Sequence, residues 1–338
     1  MMHLIIQIPC YNEAQSLPAT LAGIPLRIPG IDTIETMIVD DGSTDGTVDV
    51  ARRLGVDHVI RLPGHKGLAI AFQTGLDTCL KLGADIIVNT DGDNQYPQAE
   101  IPRLIHPILH NEADIVIGDR QVQTVPHFSP LKKRLQRWGS WVVCLASGIR
   151  APDATSGFRA YSREAALRMS VLTRYTYTLE TIIQAGKKGL RVTYVPIQVN
   201  QPTRDSRLIK SNWAYVKHSA ATILRLYAFY EPLRTFSFLS VPFVVIGLFA
   251  LIRFLYFHFT GQAGVGRHVQ SLVLGGTLLT IGFLLFVLGV VADLIAANRM
   301  LLEETMYRVK RMETTKEHSV TPDDPSPIPE GVINREEW

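Results

Sequence analysis

Two apolar stretches near the C-terminus limit what this chain can become. Residues 236–257 are about one bilayer span long, with Arg253 near the end, and residues 271–292 contain no Lys or Arg and no acid. A hydrocarbon core about 30 Å thick needs about 20 such residues per helix. Two buried helices of a soluble domain are the competing reading. Lys210, Lys217, Arg225 and Arg234 precede the first stretch, and Arg299, Arg308, Lys310 and Arg311 follow the second. The short connection holds Arg267 as its only Lys or Arg. Basic residues gather on the cytoplasmic side, so both ends are expected there and the 258–270 loop outside. A transmembrane hairpin is expected over 236–297, with spans of about 236–257 and 271–293.

The segment before the hairpin is amphipathic. At helical spacing Ile209, Trp213, Val216, Ala220, Ile223 and Tyr227 fall within about 80° of one another, with Lys210, Lys217 and Arg225 elsewhere. Such a helix lies in the membrane interface, or packs on the globular part. Region 204–235 is therefore read as interfacial. The basic-apolar stretch 131–138 is a second candidate for the same role. A juxtamembrane cytoplasmic helix is expected at 298–313. The tail 314–338, rich in Pro, Ser, Asp and Glu, reads as disordered.

Up to about residue 120 the pattern alternates. Stretches 4–9, 36–39, 58–62, 85–90 and 114–118 read as strands, and 13–23, 45–54, 67–82 and 98–111 carry helical spacing. That alternation implies an α/β fold, a doubly wound parallel sheet with helices on both faces. Region 155–200 adds two or three strands and a helix around 179–188, completing a domain over 1–203. The mean hydropathy of +0.12 is high for a chain with 19% charged residues. A net charge of +3 is too small to argue for nucleic acid. Cys10, Cys79 and Cys144 are isolated, without metal-ligand spacing, and read as apolar fillers in a reducing compartment. The first eight residues lack the basic start of a signal peptide, which keeps the N-terminal part in the cytosol.

Asp91-Gly92-Asp93 follows the apolar run 85–90 and precedes Asn94-Gln95-Tyr96-Pro97. Two carboxylates at a strand's carboxyl end can turn toward the crevice where open α/β sheets bind ligands. Hard oxygen donors suit Mg²⁺ or Mn²⁺, which bind through one or two carboxylates plus substrate phosphates. Val39-Asp40-Asp41-Gly42-Ser43-Thr44-Asp45-Gly46-Thr47 places acids at another strand end. There Asp40 or Asp41 could accept the N–H of a base while Ser43 or Thr44 caps the next helix. His65-Lys66-Gly67 opens a helix, where Lys66 and the helix N-terminus could both meet a phosphate.

Taken in order, Pro9-Cys10-Tyr11-Asn12-Glu13, the Val39–Thr47 motif, Lys66-Gly67, Asp91-Gly92-Asp93 with Gln95, Gly118-Asp119-Arg120 and the motif from Asp153 to Arg159 resemble a family 2 glycosyltransferase. More narrowly they are similar to the polyprenyl-phosphate glycosyltransferases, which include dolichyl-phosphate mannose synthase and bacterial relatives with a two-helix anchor. The resemblance covers about residues 3–300. It implies a GT-A fold (Rossmann-like, with a mostly parallel sheet), a nucleotide-sugar donor, and Mg²⁺ or Mn²⁺. It also implies that Pro9, Tyr11, Glu13, Asp40 and Lys66 line the nucleotide pocket and that Asp91, Asp93 and Gln95 hold metal and diphosphate. Arg120 and Arg159 would face the acceptor phosphate or the donor, and Asp93, Asp153 and Arg159 form the catalytic set. Stretch 203–208 looks like the family's acceptor-side loop, giving Arg204, Ser206 and Arg207 to the acceptor phosphate. The family commonly has Gly between that Arg and Ser, and Lys after the Ser; this chain has Asp205 and Arg207.

The reaction implied is hexose transfer from a UDP- or GDP-sugar to a polyprenyl phosphate at the cytoplasmic membrane face, with inversion. A phosphate nucleophile, with a second pKa of about 6, needs no strong base. Asp153 is a candidate base, or orients Arg159 or the acceptor, and Glu180 is a candidate for positioning. A hydroxyl acceptor would require a base. A glycolipid- or polysaccharide-directed transferase and a non-catalytic sugar-nucleotide-binding subunit are the alternatives. Donor base, sugar and oligomeric state stay open, a homo-oligomer included. In a bacterium the protein would sit in the inner or plasma membrane.

Overall fold

The computed structural model describes residues 1–121, 140–141, 143–145, 147–171, 177–200, 230–260 and 269–319, with backbone only from 315. Strands β1 (His3–Cys10), β2 (Thr33–Asp40), β3 (His58–Arg61), β4 (Ile86–Asn89), β5 (Ile115–Asp119), β6 (Arg159–Ser162) and β7 (Val192–Pro196) form one sheet. Their spatial order is β3-β2-β1-β4-β6-β5-β7. Pairing is parallel except at β6, which runs antiparallel to both β4 and β5. The chain winds outward from β1 to β2 and β3 on one side and returns to β4 on the other. The carboxyl ends of β1 and β4 therefore flank a topological switch, where such sheets open a crevice. All five expected N-terminal strands form; the antiparallel insertion of β6 does not follow from alternation.

Both faces of the sheet are covered, which is why its central strands are apolar on both sides. Ile5, Val39 and Ile87 pack against α3 (Leu68–Lys81), α5 (Arg163–Arg168) and α6 (Tyr177–Lys187). Leu4, Ile6, Ile8 and Val88 face the side carrying α1 (Leu17–Ala22), α2 (Thr47–Arg53) and α4 (Ile101–Leu109). Phe72 of α3 stacks on Tyr177 of α6 with centroids 4.1 Å apart. Truncating such a buried ring costs about 3–5 kcal/mol, and here the loss would fall beneath the crevice. Helix α1 starts later than its pattern suggests. Asn12 adopts a left-handed φ of 55° and turns residues 11–16 into a loop.

The two apolar stretches are helices α7 (Pro232–Phe259) and α8 (Val269–Ser319), each long and apolar enough to cross a membrane. Their apolar side chains are mostly exposed, unlike those of a core helix. The expected juxtamembrane segment is no separate element: α8 runs unbroken for 51 residues, about 76 Å at 1.5 Å per residue.

One face of α8 makes two interfaces in succession. Gly275, Gly282 and Gly289 recur every seventh residue and are buried against α7. A Cβ on Gly275 would stand 3.0 Å from Gly247 O, and one on Gly289 2.8 Å from Phe236 Cβ. Small residues let membrane helices approach closely, where packing rather than hydrophobicity drives association. Two and three heptads beyond Gly289, Glu303 and Lys310 meet the α/β domain. Glu303 pairs with Lys188 at 2.9 Å and Lys310 with Asp77 at 2.7 Å. Between them Tyr307 donates to Glu164 at 2.9 Å.

Candidate active site

The crevice is built from loops at the carboxyl ends of β1, β2 and β4. The first two are laced together by side chains. Asn12 N–H donates to Ser43 Oγ (2.8 Å), Thr44 N–H to Asn12 Oδ1 (2.8 Å), and Glu13 N–H to Thr47 Oγ1 (2.9 Å). Ser43 and Thr44 thus bind Asn12 rather than capping α2, whose N-cap is Gly46. Asp40 is fully buried, accepts the Ser43 N–H at 3.2 Å and lies 3.6 Å from Arg61 Nε. Pro9 is buried behind it, and Glu13 accepts from Ser16 Oγ at 2.7 Å. Tyr11 is exposed and stacks on His65 at 4.1 Å.

The N-terminus of α3 is not free for a phosphate. Asp41 accepts the backbone N–H groups of Lys66 (2.6 Å) and Gly67 (2.9 Å), and His65 Nδ1 lies 2.7 Å away. A carboxylate there satisfies orphan donors and the helix dipole together. What Lys66 can offer a ligand is its exposed side chain.

Asp91 leaves β4 into the crevice. Asp93 follows, its Oδ1 accepting the Gln95 N–H at 3.0 Å, and Asn94 turns the loop with a φ of 57°. Burial, then the Asp93 charge and more weakly Glu13, push the Asp91 carboxyl up to about 7 against the pull of Arg120 and Arg159. Such repulsion is what a bound cation relieves. Among the described residues no three His, Cys, Asp or Glu side chains converge as a ready metal cage. Two carboxylates with open positions fit Mg²⁺ or Mn²⁺ shared with a diphosphate and water.

Beneath Asp91 lies a buried polar ladder. Gln7 Nε2 donates to Asn89 Oδ1 (2.9 Å), and Asn89 Nδ2 donates to Gly157 O (2.8 Å) and Tyr177 Oη (3.0 Å). Gly157 N–H donates to Tyr96 Oη at 3.0 Å. A Cβ on Gly157 would be 3.0 Å from both Asp91 oxygens and 2.9 Å from Tyr177 Oη. Asn89, Tyr96, Gly157 and Tyr177 were not singled out by sequence reasoning. The polar Asn89 inside an otherwise apolar strand was the available signal.

Two of the expected site residues have their partners inside the domain. Arg159 is fully buried, and its guanidinium donates to Ser156 O (2.7 Å), Ala154 O (3.0 Å), Thr178 O (2.8 Å) and Thr181 Oγ1 (2.7 Å). It braces the 154–159 turn against α6, and its charge reaches Asp91 through the interior. Asp153 is the partner of Arg120. It is fully buried and gripped by Arg120, with Nε 2.7 Å from Oδ2 and Nη2 2.9 Å from Oδ1. Burial alone would raise Asp153, but the Arg120 fork overrides it and holds the carboxyl below its ordinary value. A carboxylate so committed is a poor base.

Glu180 is buried away from the crevice and receives Arg299 Nη2 at 3.1 Å and Tyr230 Oη at 3.3 Å. On the other side of the metal-type loop, Asn200 closes the described part of the domain. Its N–H donates to Gln95 O and its Nδ2 to Asn94 O, both at 3.0 Å. Arg204, Ser206 and Arg207, the 209–227 amphipathic segment and the 131–138 stretch lie outside the described residues.

Residues 5–169 match the model of glycosyl transferase family 2. The chain is 30% identical over 206 residues to an undecaprenyl-phosphate mannosyltransferase of Micrococcus luteus, covering 58% of this chain and 83% of that one. It is 31% identical over 220 residues to a UDP-N-acetylglucosamine--dolichyl-phosphate N-acetylglucosaminyltransferase of Methanococcus voltae, covering 59% and 85%. Its fold resembles a crystal structure of glucosyl-3-phosphoglycerate synthase from Mycobacterium tuberculosis in complex with Mn²⁺, UDP and phosphoglyceric acid. That likeness has a TM-score of 0.53 at 21% identity, covering 67% of this chain and 78% of that one.

Proposed function

The chain belongs to glycosyl transferase family 2, and we propose that it moves a hexose from a UDP- or GDP-sugar to a polyprenyl phosphate at the cytoplasmic face of a membrane, with inversion. The observation that carries this reading is the joint between crevice and anchor. Helix α6 holds Tyr177 beneath Asp91 and, three residues on, Glu180 against Arg299 of α8. An enzyme whose acceptor tail cannot leave the bilayer needs its crevice fixed relative to the membrane, and that joint supplies the fixation.

In this reading residues 1–203 form the catalytic unit and 236–297 the hairpin anchor, with both ends cytoplasmic. Pro9, Tyr11, Glu13 and Asp40 line the nucleoside side, with Lys66 reaching in from the surface. Asp91 and Asp93 are the metal ligands, and Gln95 holds Asp93 in place through its backbone N–H. A divalent ion there would neutralise charge developing on the departing nucleoside diphosphate. Arg120 and Asp153 act as a fixed pair that shapes the crevice wall and lends Asp91 a nearby positive charge. The acceptor phosphate supplies its own nucleophilic oxygen, so this reading asks no proton transfer of Asp153. Arg204, Ser206 and Arg207 follow Asn200 by a few residues, and Asn200 is tied to Asn94 and Gln95.

The test is direct. Purified full-length protein with Mn²⁺ is incubated with radiolabelled UDP- and GDP-sugars and a polyprenyl phosphate. Label extractable into organic solvent supports the reading. Label confined to water-soluble or polymeric product assigns a hydroxyl acceptor instead, and no transfer with any donor leaves a binding subunit.

A further inference from the structure

Helix α8 carries a second seven-residue repeat, on the face turned away from α7 and the catalytic domain. Ile281, Leu288, Ile295, Leu302 and Val309 recur at every seventh position, and Leu284, Val291, Asn298, Thr305 and Met312 follow each by three. Every one of them is exposed. This is the pattern of a coiled-coil seam, sustained over enough heptads to impose a left-handed supercoil. Lipid can cover its first half. It cannot cover the second, because Asp293 ends the uncharged run and Met312 lies about 28 Å farther along the helix. There Leu302 is 66% and Met312 60% exposed, with Leu301 and Met306 exposed beside them.

The helix cannot lie down on the membrane to hide this strip. Its opposite face is tied to the catalytic domain by Glu303–Lys188, Tyr307–Glu164 and Lys310–Asp77, and Arg299 on its flank pairs with Glu180. We propose that α8 pairs in parallel with α8 of a second copy of this chain, along the strip from Ile281 to Met312. Shared membrane topology forces the two helices parallel. In a parallel pair, the residue before one seam position sits beside the partner's residue five places later. Those flanks are self-complementary here: Leu301 meets Met306 of the partner subunit, and Arg308 meets Glu313 of the partner subunit. Asn298 and Thr305 place polar side chains within the seam. This inference concerns assembly and does not rest on the transferase reading.

Cysteine substitution on α8 in the full-length protein in vesicles tests it, because none of the three native cysteines lies on that helix. Under mild oxidation Leu302→Cys and Val309→Cys are expected to give a product of twice the chain mass, whereas Glu304→Cys, on another face, is not. Arg308→Glu in the Leu302→Cys chain should cut that yield about tenfold, and Arg308→Glu with Glu313→Arg should restore it. Arg308 also pairs with Glu304 of its own helix, so the rescue by the double reversal is the diagnostic arm. No product at 302 and 309, equal product at 304, or charge reversal without rescue would each overturn the proposal. Light scattering showing the unsubstituted protein to be monomeric at every detergent ratio would do so as well.

Discussion

Arg299 and Glu180 form a joint between the membrane-anchoring helix and the interior of the catalytic domain. Arg299 Nη2 lies 3.1 Å from Glu180 Oε1, and Glu180 is fully buried. The Arg299 guanidinium also lies 4.9 Å from the Tyr230 ring, whose hydroxyl donates to the same carboxylate. Helix α6 carries Glu180 on one turn and Tyr177, beneath Asp91, on the preceding one. Anchor and crevice therefore share one rigid element.

Arg299→Ala is expected to destabilise the protein by about 3–5 kcal/mol, because it leaves a buried carboxylate without its cation. Denaturation in detergent measures this. Glu180→Gln combined with Arg299→Met should recover most of the loss, since removing both charges removes the desolvation problem. Unchanged stability of Arg299→Ala would mean that the joint carries no energy.

Asp93→Asn should lower transfer by about a hundredfold or more while leaving the melting temperature within a few degrees. Asp93 is held through the Gln95 backbone N–H, and an amide oxygen can keep that bond. Turnover like that of the unaltered protein would remove Asp93 from the metal role.

The crevice was legible where it is local. Asp91 and Asp93 stand beside the strand that presents them, and Asn12, Ser43 and Thr44 stand at strand ends whose alternation reveals the sheet. The Arg120–Asp153 and Glu180–Arg299 pairs were not legible, because they join residues 33 and 119 positions apart and no pattern along the chain encodes the meeting. Arg159 shows the converse. Its motif suggests a ligand-facing cation, but the antiparallel β6 starts there and turns the side chain into the interior, where carbonyls take its donors.

Asp153→Asn separates a structural carboxylate from a base. Arg120 holds Asp153 below its ordinary value. Its contribution to stability is therefore fully present above about pH 4 and is lost as pH falls through the depressed value. Below that range the asparagine variant and the unaltered protein should converge in stability; above it the variant should be weaker by about 2–4 kcal/mol. Stability measured from about pH 2 to pH 6 gives the curve. A variant as stable as the parent throughout, yet without turnover, would return Asp153 to the role of base.

Gly157→Ala should cripple the crevice without replacing any of its charged residues. The added methyl would press on both Asp91 oxygens and on Tyr177 Oη. Something must yield, and the buried ladder from Gln7 to Tyr177 leaves Asp91 as the movable partner. A loss of about tenfold or more in transfer, with apparent metal affinity reduced in parallel, is expected. Retained metal affinity with lost transfer would place the clash at the sugar instead.

Metal binding should release a proton, with a definite pH dependence. Burial and Asp93 raise Asp91 to about 7 in the metal-free protein. A carboxyl raised in this way stabilises the fold fully only below about pH 4, and that contribution is lost as pH rises through about 7. The ion binds the ionised form, so affinity should climb about tenfold per pH unit below 7 and level off above it. Mn²⁺ should accordingly raise the melting temperature little near pH 6 and clearly more near pH 8. Calorimetry in two buffers of different ionisation enthalpy should count close to one proton released near pH 6 and almost none near pH 8.5. In Asp93→Asn the like charge is gone, so Asp91 falls toward its ordinary value and the metal-induced shift shrinks at every pH. A Mn²⁺ shift of equal size at both pH values would show that Asp91 does not titrate with the ion and that the metal sits elsewhere.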